Sequence, residues 1–160
     1  MKNFIFFLFA LCFLWPGEMR EWPLHTICKT KDFEAYYKSC DPLQDGGFSF
    51  TPCSRILPKY QIMRIGIVLR HDIKSLYVKL NIFYNGYLFA QEDRTLCDEK
   101  APRYSFCGKK KGESVFYDHD VKLGVSYIPR GDYMVTMELR NEDHDQIACV
   151  NVTIYSHPLV

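Results

Sequence analysis

Apart from Cys12 near the N-terminus, the cysteines are Cys28, Cys40, Cys53, Cys97, Cys107 and Cys149. A thiol can ligate a metal, attack an electrophile or close a disulfide. A zinc site needs paired cysteines two to four residues apart or histidines at ligand spacing, and the chain has neither. The histidines His25, His71, His119, His144 and His157 are scattered. His71-Asp72 sets an imidazole beside a carboxylate, and Asp118-His119-Asp120 places three ligand-type side chains in a row. Both read as polar turns, because no nucleophile or further ligand follows at motif spacing. No G-x-S-x-G, H-E-x-x-H, phosphate-binding loop or EF-hand pattern occurs. An enzyme is therefore not expected, and neither is a metal nor a cofactor. Oxidation remains: an even set of six reads as three disulfides, with fifteen ways to connect them. Cys97 and Cys107, ten residues apart, are the pair close enough for a local bridge. Such a loop contributes about 3 kcal/mol in the chain-entropy model, and a bridge from an early cysteine to Cys149 about 4 to 5 kcal/mol.

Disulfides require an oxidising compartment, and the N-terminus supplies a route to one. MKNFIFFLFALCFLW carries one lysine and then an unbroken apolar run from Phe4 to Trp15. The run is shorter than the roughly 20 residues that span a bilayer and fits a secretory signal peptide. Residues 1–20 are set aside as that signal segment, with cleavage placed within it after Gly17, and Cys12 leaves with it; the alternative is an uncleaved N-terminal anchor. Residues 21–160 then form one domain, secreted and extracellular. Asn151-Val152-Thr153 is an N-glycosylation acceptor consistent with that route. Lys and Arg number 20 against 19 Asp and Glu, a balance that excludes nucleic acid as the main partner.

Strands must position these groups. In SLYVKLNIFYNG, Leu76, Val78, Leu80, Ile82 and Tyr84 share one face and Tyr77, Lys79, Asn81 and Phe83 the other. Asn85-Gly86 favours a type I′ turn, from which Tyr87 to Gln91 run back. QIMRIGIVLR gathers Met63, Ile65, Ile67 and Leu69; DYMVTMELR gathers Tyr133, Val135, Met137 and Leu139; IACVNVTIY gathers Ala148, Val150, Val152 and Ile154, leaving Asn151 outward. FEAYYKSC and FSFTPC read as shorter strands bounded by Asp41-Pro42 and Gly46-Gly47. Short strands at such spacing predict an all-β antiparallel sandwich. Aromatic residues make up 16 % of the chain. That composition fits a packed core, the commoner design, and also two sheets splayed around an apolar cavity.

EWPLHTICK, YYKSCDPLQD and YSFCGKKKGE decide between them by resemblance. These blocks resemble the lipid-recognition (ML) domain family, in particular its branch of secreted accessory subunits for leucine-rich-repeat innate immune receptors. The similarity runs from about Glu21 to about Tyr155. It implies an immunoglobulin-like two-sheet cup with a deep apolar cavity between the sheets, and bridges Cys28 to Cys53, Cys40 to Cys149 and Cys97 to Cys107. It implies a cavity lined by Met63, Ile65, Ile67, Leu69, Leu76, Val78, Leu80, Ile82, Phe106, Tyr133, Val135, Val150 and Val152. The rim would hold Lys122, Ile128 and Arg130. Lys100 and Arg103 would face the receptor, and Lys109, Lys110 and Lys111, at the loop's exit, would serve the receptor or the ligand headgroup or else form a solvated basic turn. The implied partners are a phospholipid or lipid A-like ligand and the ectodomain of a Toll-like receptor homologue, in a two-plus-two complex that modulates lipopolysaccharide responses at the cell surface. Two other roles within the family are an endotoxin-presenting co-receptor of Toll-like receptor 4 and a receptor-independent lipid or sterol carrier. The co-receptor branch has a lysine-rich mouth to meet phosphates. Here VKLGVSYIPRGDYM keeps only Lys122 and Arg130 and adds Asp132.

Overall fold

The computed structural model describes residues 21–156. The signal-like segment 1–20 lies outside the described residues, as do residues 157–160. Nine strands follow one another: β1 (His25–Lys29), β2 (Phe33–Ser39), β3 (Gly47–Thr51), β4 (Gln61–Val68), β5 (Leu76–Tyr84), β6 (Tyr87–Cys97), β7 (Ser114–Val121), β8 (Gly131–Asn141) and β9 (Gln146–Ser156). No helix occurs among the described residues. Six strands form one sheet in the order β1-β2-β9-β8-β5-β6, and three form the other in the order β3-β4-β7. All pairings are antiparallel. The chain is an all-β, immunoglobulin-like sandwich.

Residues paired across antiparallel strands share a face, so register fixes what looks inward. Leu80 pairs Met137 and Met137 pairs Val150; Val78 pairs Leu139 and Leu139 pairs Ala148. On the smaller sheet, Met63, Ile65 and Ile67 stand opposite His119, Tyr117 and Val115. The β5–β6 hairpin turns at Asn85 (φ 47°) and Gly86 (φ 85°), the two positive values that a type I′ turn demands. β6 continues to Cys97, six residues past the predicted end at Gln91. Asp118-His119-Asp120 lies within β7 rather than in a turn. The strand turns Val115, Tyr117 and Val121 toward the opposite sheet and places Phe116, Asp118 and Asp120 outside.

The tightest core closes one end, where Leu69, Ile73, Leu76, Cys97, Val115 and Ile147 pack together, each no more than 6 % exposed. Truncating a leucine in such a cluster costs roughly 2–5 kcal/mol. Cys28–Cys53 ties β1 to the β3–β4 loop, Cys40–Cys149 ties the end of β2 to β9, and Cys97–Cys107 closes a short loop after β6. Gly131 (φ 142°) opens β8 against the Tyr84 ring. A Cβ there would lie 2.3 Å from Tyr84 Cε2, so only glycine lets hairpin and strand meet.

Candidate functional site

Between the sheets, near the closed end, lies a cavity of about 200 Å³. β4 supplies Met63, Ile65 and Ile67, β8 supplies Met137 and Leu139, and β7 supplies Val115, Tyr117 and Val121. Leu76, Leu96, Ile73 and Ile147 complete the wall, and Tyr104 and Phe106 reach in from the loop closed by Cys97–Cys107. No charged side chain lines it. The wall therefore favours hydrocarbon over water by roughly 25 cal/mol per Å² of apolar surface buried.

The disulfide loop contributes a built aromatic wall. Tyr104 stacks on Phe106 with centroids 5.1 Å apart, Phe106 meets Tyr117 edge-on at 5.8 Å, and Tyr117 meets His119 at 4.8 Å. Burial pushes the Tyr117 phenol above its ordinary pKa, and the neighbouring Tyr104 phenol adds to the effect. That shift keeps the Tyr117 phenol uncharged, as an apolar site requires.

A smaller cavity of about 60 Å³ lies toward β2 and β3, among Tyr37, Phe48 and Val150. Ile65, Ile67, Met137 and Leu139 line both cavities, so four flexible aliphatic side chains form the partition. Sites for drug-sized ligands usually enclose about 300–1,000 Å³. A lipid chain entering here has to move that partition, and methionine, with three rotatable bonds, is suited to yield.

Among the residues expected at the site, Met63, Ile65, Ile67, Leu76 and Phe106 line the larger cavity and Val150 the smaller. Leu69 sits in the buried cluster that closes the end. Val78 is buried on the inner face, and Leu80, Ile82, Tyr133, Val135 and Val152 are half-buried there, outside the lining of either cavity. Lys122 and Arg130 are exposed in the β7–β8 loop, with Ile128 half-buried between them. Reading by sequence overlooked Ile73, Leu96, Tyr104, Val115, Tyr117, Val121, Met137, Leu139 and Ile147 as lining residues. Met137 and Leu139 were recoverable, since they alternate with Tyr133 and Val135 on one face.

The basic segment is anchored rather than loose. Lys110 Nζ lies 3.4 Å from Asp72 Oδ2, Lys109 Nζ 3.5 Å from Glu113 Oε1, and the Lys111 amide donates to Asp72 Oδ1 at 2.8 Å. The backbone N–H of Lys111 is the main cause holding Asp72 below its ordinary carboxylate pKa, and that of Lys110 does the same for Glu113. Lys100 and Arg103 are exposed in the disulfide loop. Asn151, on the outer face of β9, is half-buried, and its Oδ1 has no hydrogen-bond partner.

Residues 36–156 match the model of the ML domain. The chain belongs to the ML domain family. It is 40 % identical to lymphocyte antigen 86 of Gallus gallus over 157 residues, covering 98 % of each chain. It is 38 % identical to lymphocyte antigen 86 of Homo sapiens over 159 residues, covering 96 % of this chain and 98 % of that one. Among solved structures, chicken MD-1 complexed with lipid IVa superposes with a TM-score of 0.79 at 42 % identity, covering 86 % of this chain and all of that one. Lymphocyte antigen 96 of Cricetulus griseus is more distant, at 28 % over 164 residues. The ML cup of this chain is thus the cavity-bearing sandwich described above, stapled by three disulfides.

Proposed function

We propose that this protein is a secreted, non-catalytic lipid-binding subunit that presents its cup to a leucine-rich-repeat innate immune receptor and modulates responses to lipopolysaccharide. The observation that carries the lipid half is the uncharged cavity between the sheets, in a chain 42 % identical to an MD-1 whose crystal structure contains lipid IVa. Acyl chains leave water for that cavity, and the headgroup stays at the rim with Lys122, Ile128 and Arg130. Phospholipid or a lipid A-like molecule fits this division of apolar tail and anionic head.

The receptor half rests on family resemblance and on the two basic surfaces. Lys100 and Arg103 in the disulfide loop, with Lys109, Lys110 and Lys111 beyond it, offer a charged docking face; electrostatic pairing of that kind governs which partner is accepted. Residues 1–20 serve as the secretion signal, 21–160 as one lipid-recognition domain, and Asn151 as the glycan acceptor. Three disulfides suit an extracellular life.

Native mass spectrometry of the secreted protein, followed by organic extraction, tests the lipid reading. Phospholipid in near one-to-one amount is the expected result. A protein that emerges empty and takes up neither phospholipid nor lipid A overturns it. Receptor capture with Lys109, Lys110 and Lys111 all changed to glutamate tests the docking face, and undiminished capture removes these lysines from it.

A further inference from the structure

Three loops meet at the end of the sandwich away from the closed core: residues 52–60 between β3 and β4, the β5–β6 turn with the start of β6 (residues 85–89), and residues 122–130 between β7 and β8. They project large apolar side chains into solvent: Ile56 and Tyr60 from the first, Tyr87 and Phe89 from the second, Leu123 and Val125 from the third. Tyr87 is 81 % exposed and Phe89 74 %, values that a monomer's scattered surface residues do not reach in clusters without a reason.

The loops are held together, so the patch is preformed. The Leu57 amide donates to the Ser126 carbonyl and the Ile128 amide to the Arg55 carbonyl, each at 2.9 Å. The hairpin joins through the Asn85 amide to the Asp132 carbonyl at 2.8 Å, and the Tyr84 hydroxyl donates to the Arg130 carbonyl at 2.9 Å.

Charge separates the two ends of the molecule. The three loops contain the buried Arg55 and the exposed Lys59, Lys122 and Arg130, and no aspartate or glutamate; the carboxylates that flank the third loop in sequence, Asp120 and Asp132, belong to the strands behind it. The β1–β2 turn at the same end adds one charge of each sign, Lys31 and Asp32. At the opposite end, loops 41–46, 69–75 and 142–145 carry Asp41, Asp45, Asp72, Glu142, Asp143 and Asp145 beside Arg70 and Lys74, and the 98–113 segment hydrogen-bonded to loop 69–75 mixes Asp98, Glu99 and Glu113 with Lys100, Arg103, Lys109, Lys110 and Lys111.

We propose that this acid-free, apolar end docks on an anionic lipid bilayer, with the loop tips entering the headgroup layer. Tyrosine hydroxyls and lysine ammonium groups beside aliphatic tips match the composition that settles at a membrane interface, and the Lys59 ammonium lies over the Tyr60 ring. Val121, on the cavity wall, lies two residues before Leu123, so the docking surface and the cavity wall are continuous.

The test is co-sedimentation of the intact secreted protein with vesicles of phosphatidylcholine, with and without phosphatidylserine. Three exposed cations favour the anionic vesicles on the order of a hundredfold, and added salt should reverse that preference. F89S/L123S should bind at least tenfold less at unchanged thermal stability, while Lys74→Glu, at the opposite end, should bind as the parent does. Equal binding by the parent and F89S/L123S, or no sedimentation with either vesicle, overturns the proposal. So does self-association, or capture of a receptor ectodomain, that F89S/L123S abolishes without any vesicle binding. Lipid content is read separately: an empty cup that still docks overturns the cavity reading and leaves this one standing.

Discussion

Asp41 is 2 % exposed and follows directly on Cys40, whose bridge to Cys149 joins β2 to β9. Its carboxylate accepts from the Arg70 guanidinium and, through Oδ1, from the Leu43 amide at 2.9 Å. The Arg70 Nε donates in turn to Gln44 Oε1 at 3.1 Å. One buried charge thus fixes the 41–46 turn against the loop after β4. Breaking a buried pair by removing one partner strands the other, at about 3 kcal/mol. Asp41→Ala should therefore lower the melting temperature by roughly 10 °C. Replacing both partners with apolar residues of similar size should recover part of the loss, because no charge is then left unpaired. Calorimetry of the single and double variants decides the matter: equal melting temperatures for Asp41→Ala and the parent would remove the pair from the fold's support.

Among the elements, the legible strands were those with one clean apolar face. β4, β5, β8 and β9 alternate without interruption, and Asn85-Gly86 marks its own turn. β7 escaped because Phe116, 80 % exposed, occupies an outward position where a polar residue is expected, and because Asp-His-Asp resembles loop chemistry. β6 was cut short because it is the free edge of its sheet. Polar residues on both faces, Gln91 to Arg94, suit an edge that must not pair with another chain. The basic turn illustrates a limit of the same kind, since Asp72, which holds it, lies 38 residues away from Lys110. Asp72 and Glu113 titrate below their ordinary values of 3.8 and 4.5, chiefly through backbone N–H donors. A carboxylate whose folded pKa is depressed stabilises the fold above its unfolded pKa and loses that contribution as pH falls through the folded value. Exchange protection of the Lys110 and Lys111 amides should hold steady from about pH 8 to pH 5 and decline only below about pH 4. Loss of protection near neutral pH would show that something other than these carboxylates orders the turn.

For the molecule as a whole, the alternation of side chains is the same whether two sheets close on a packed core or stand apart around a cavity. Periodicity reports which residues face inward and says nothing about how far the opposite face lies. Sheet separation comes from non-local features: Cys28–Cys53, which ties β1 of one sheet to the β3–β4 loop of the other, and a six-stranded sheet facing one of only three strands. The cavity narrows to a partition of Ile65, Ile67, Met137 and Leu139, which makes occupancy a contest between two states of the same wall. In this structure the four side chains stand between the two cavities; in the lipid-bound state proposed above they would pack on the acyl chain and the two cavities would become one. Met137→Trp biases the contest by filling the space from the β8 side without burying a charge. Added apolar contact should leave the melting temperature of the unloaded protein within about 7 °C of the parent, since a cavity-filling substitution that avoids strain stabilises by about 0.5–2 kcal/mol and one that crowds costs a similar amount. Lipid recovered with the secreted protein should nevertheless fall at least tenfold, and the thermal stabilisation that bound lipid confers through linkage should vanish. Undiminished lipid in Met137→Trp would mean that acyl chains lie elsewhere than between β4 and β8, and that the inner faces of the two sheets serve only as a core.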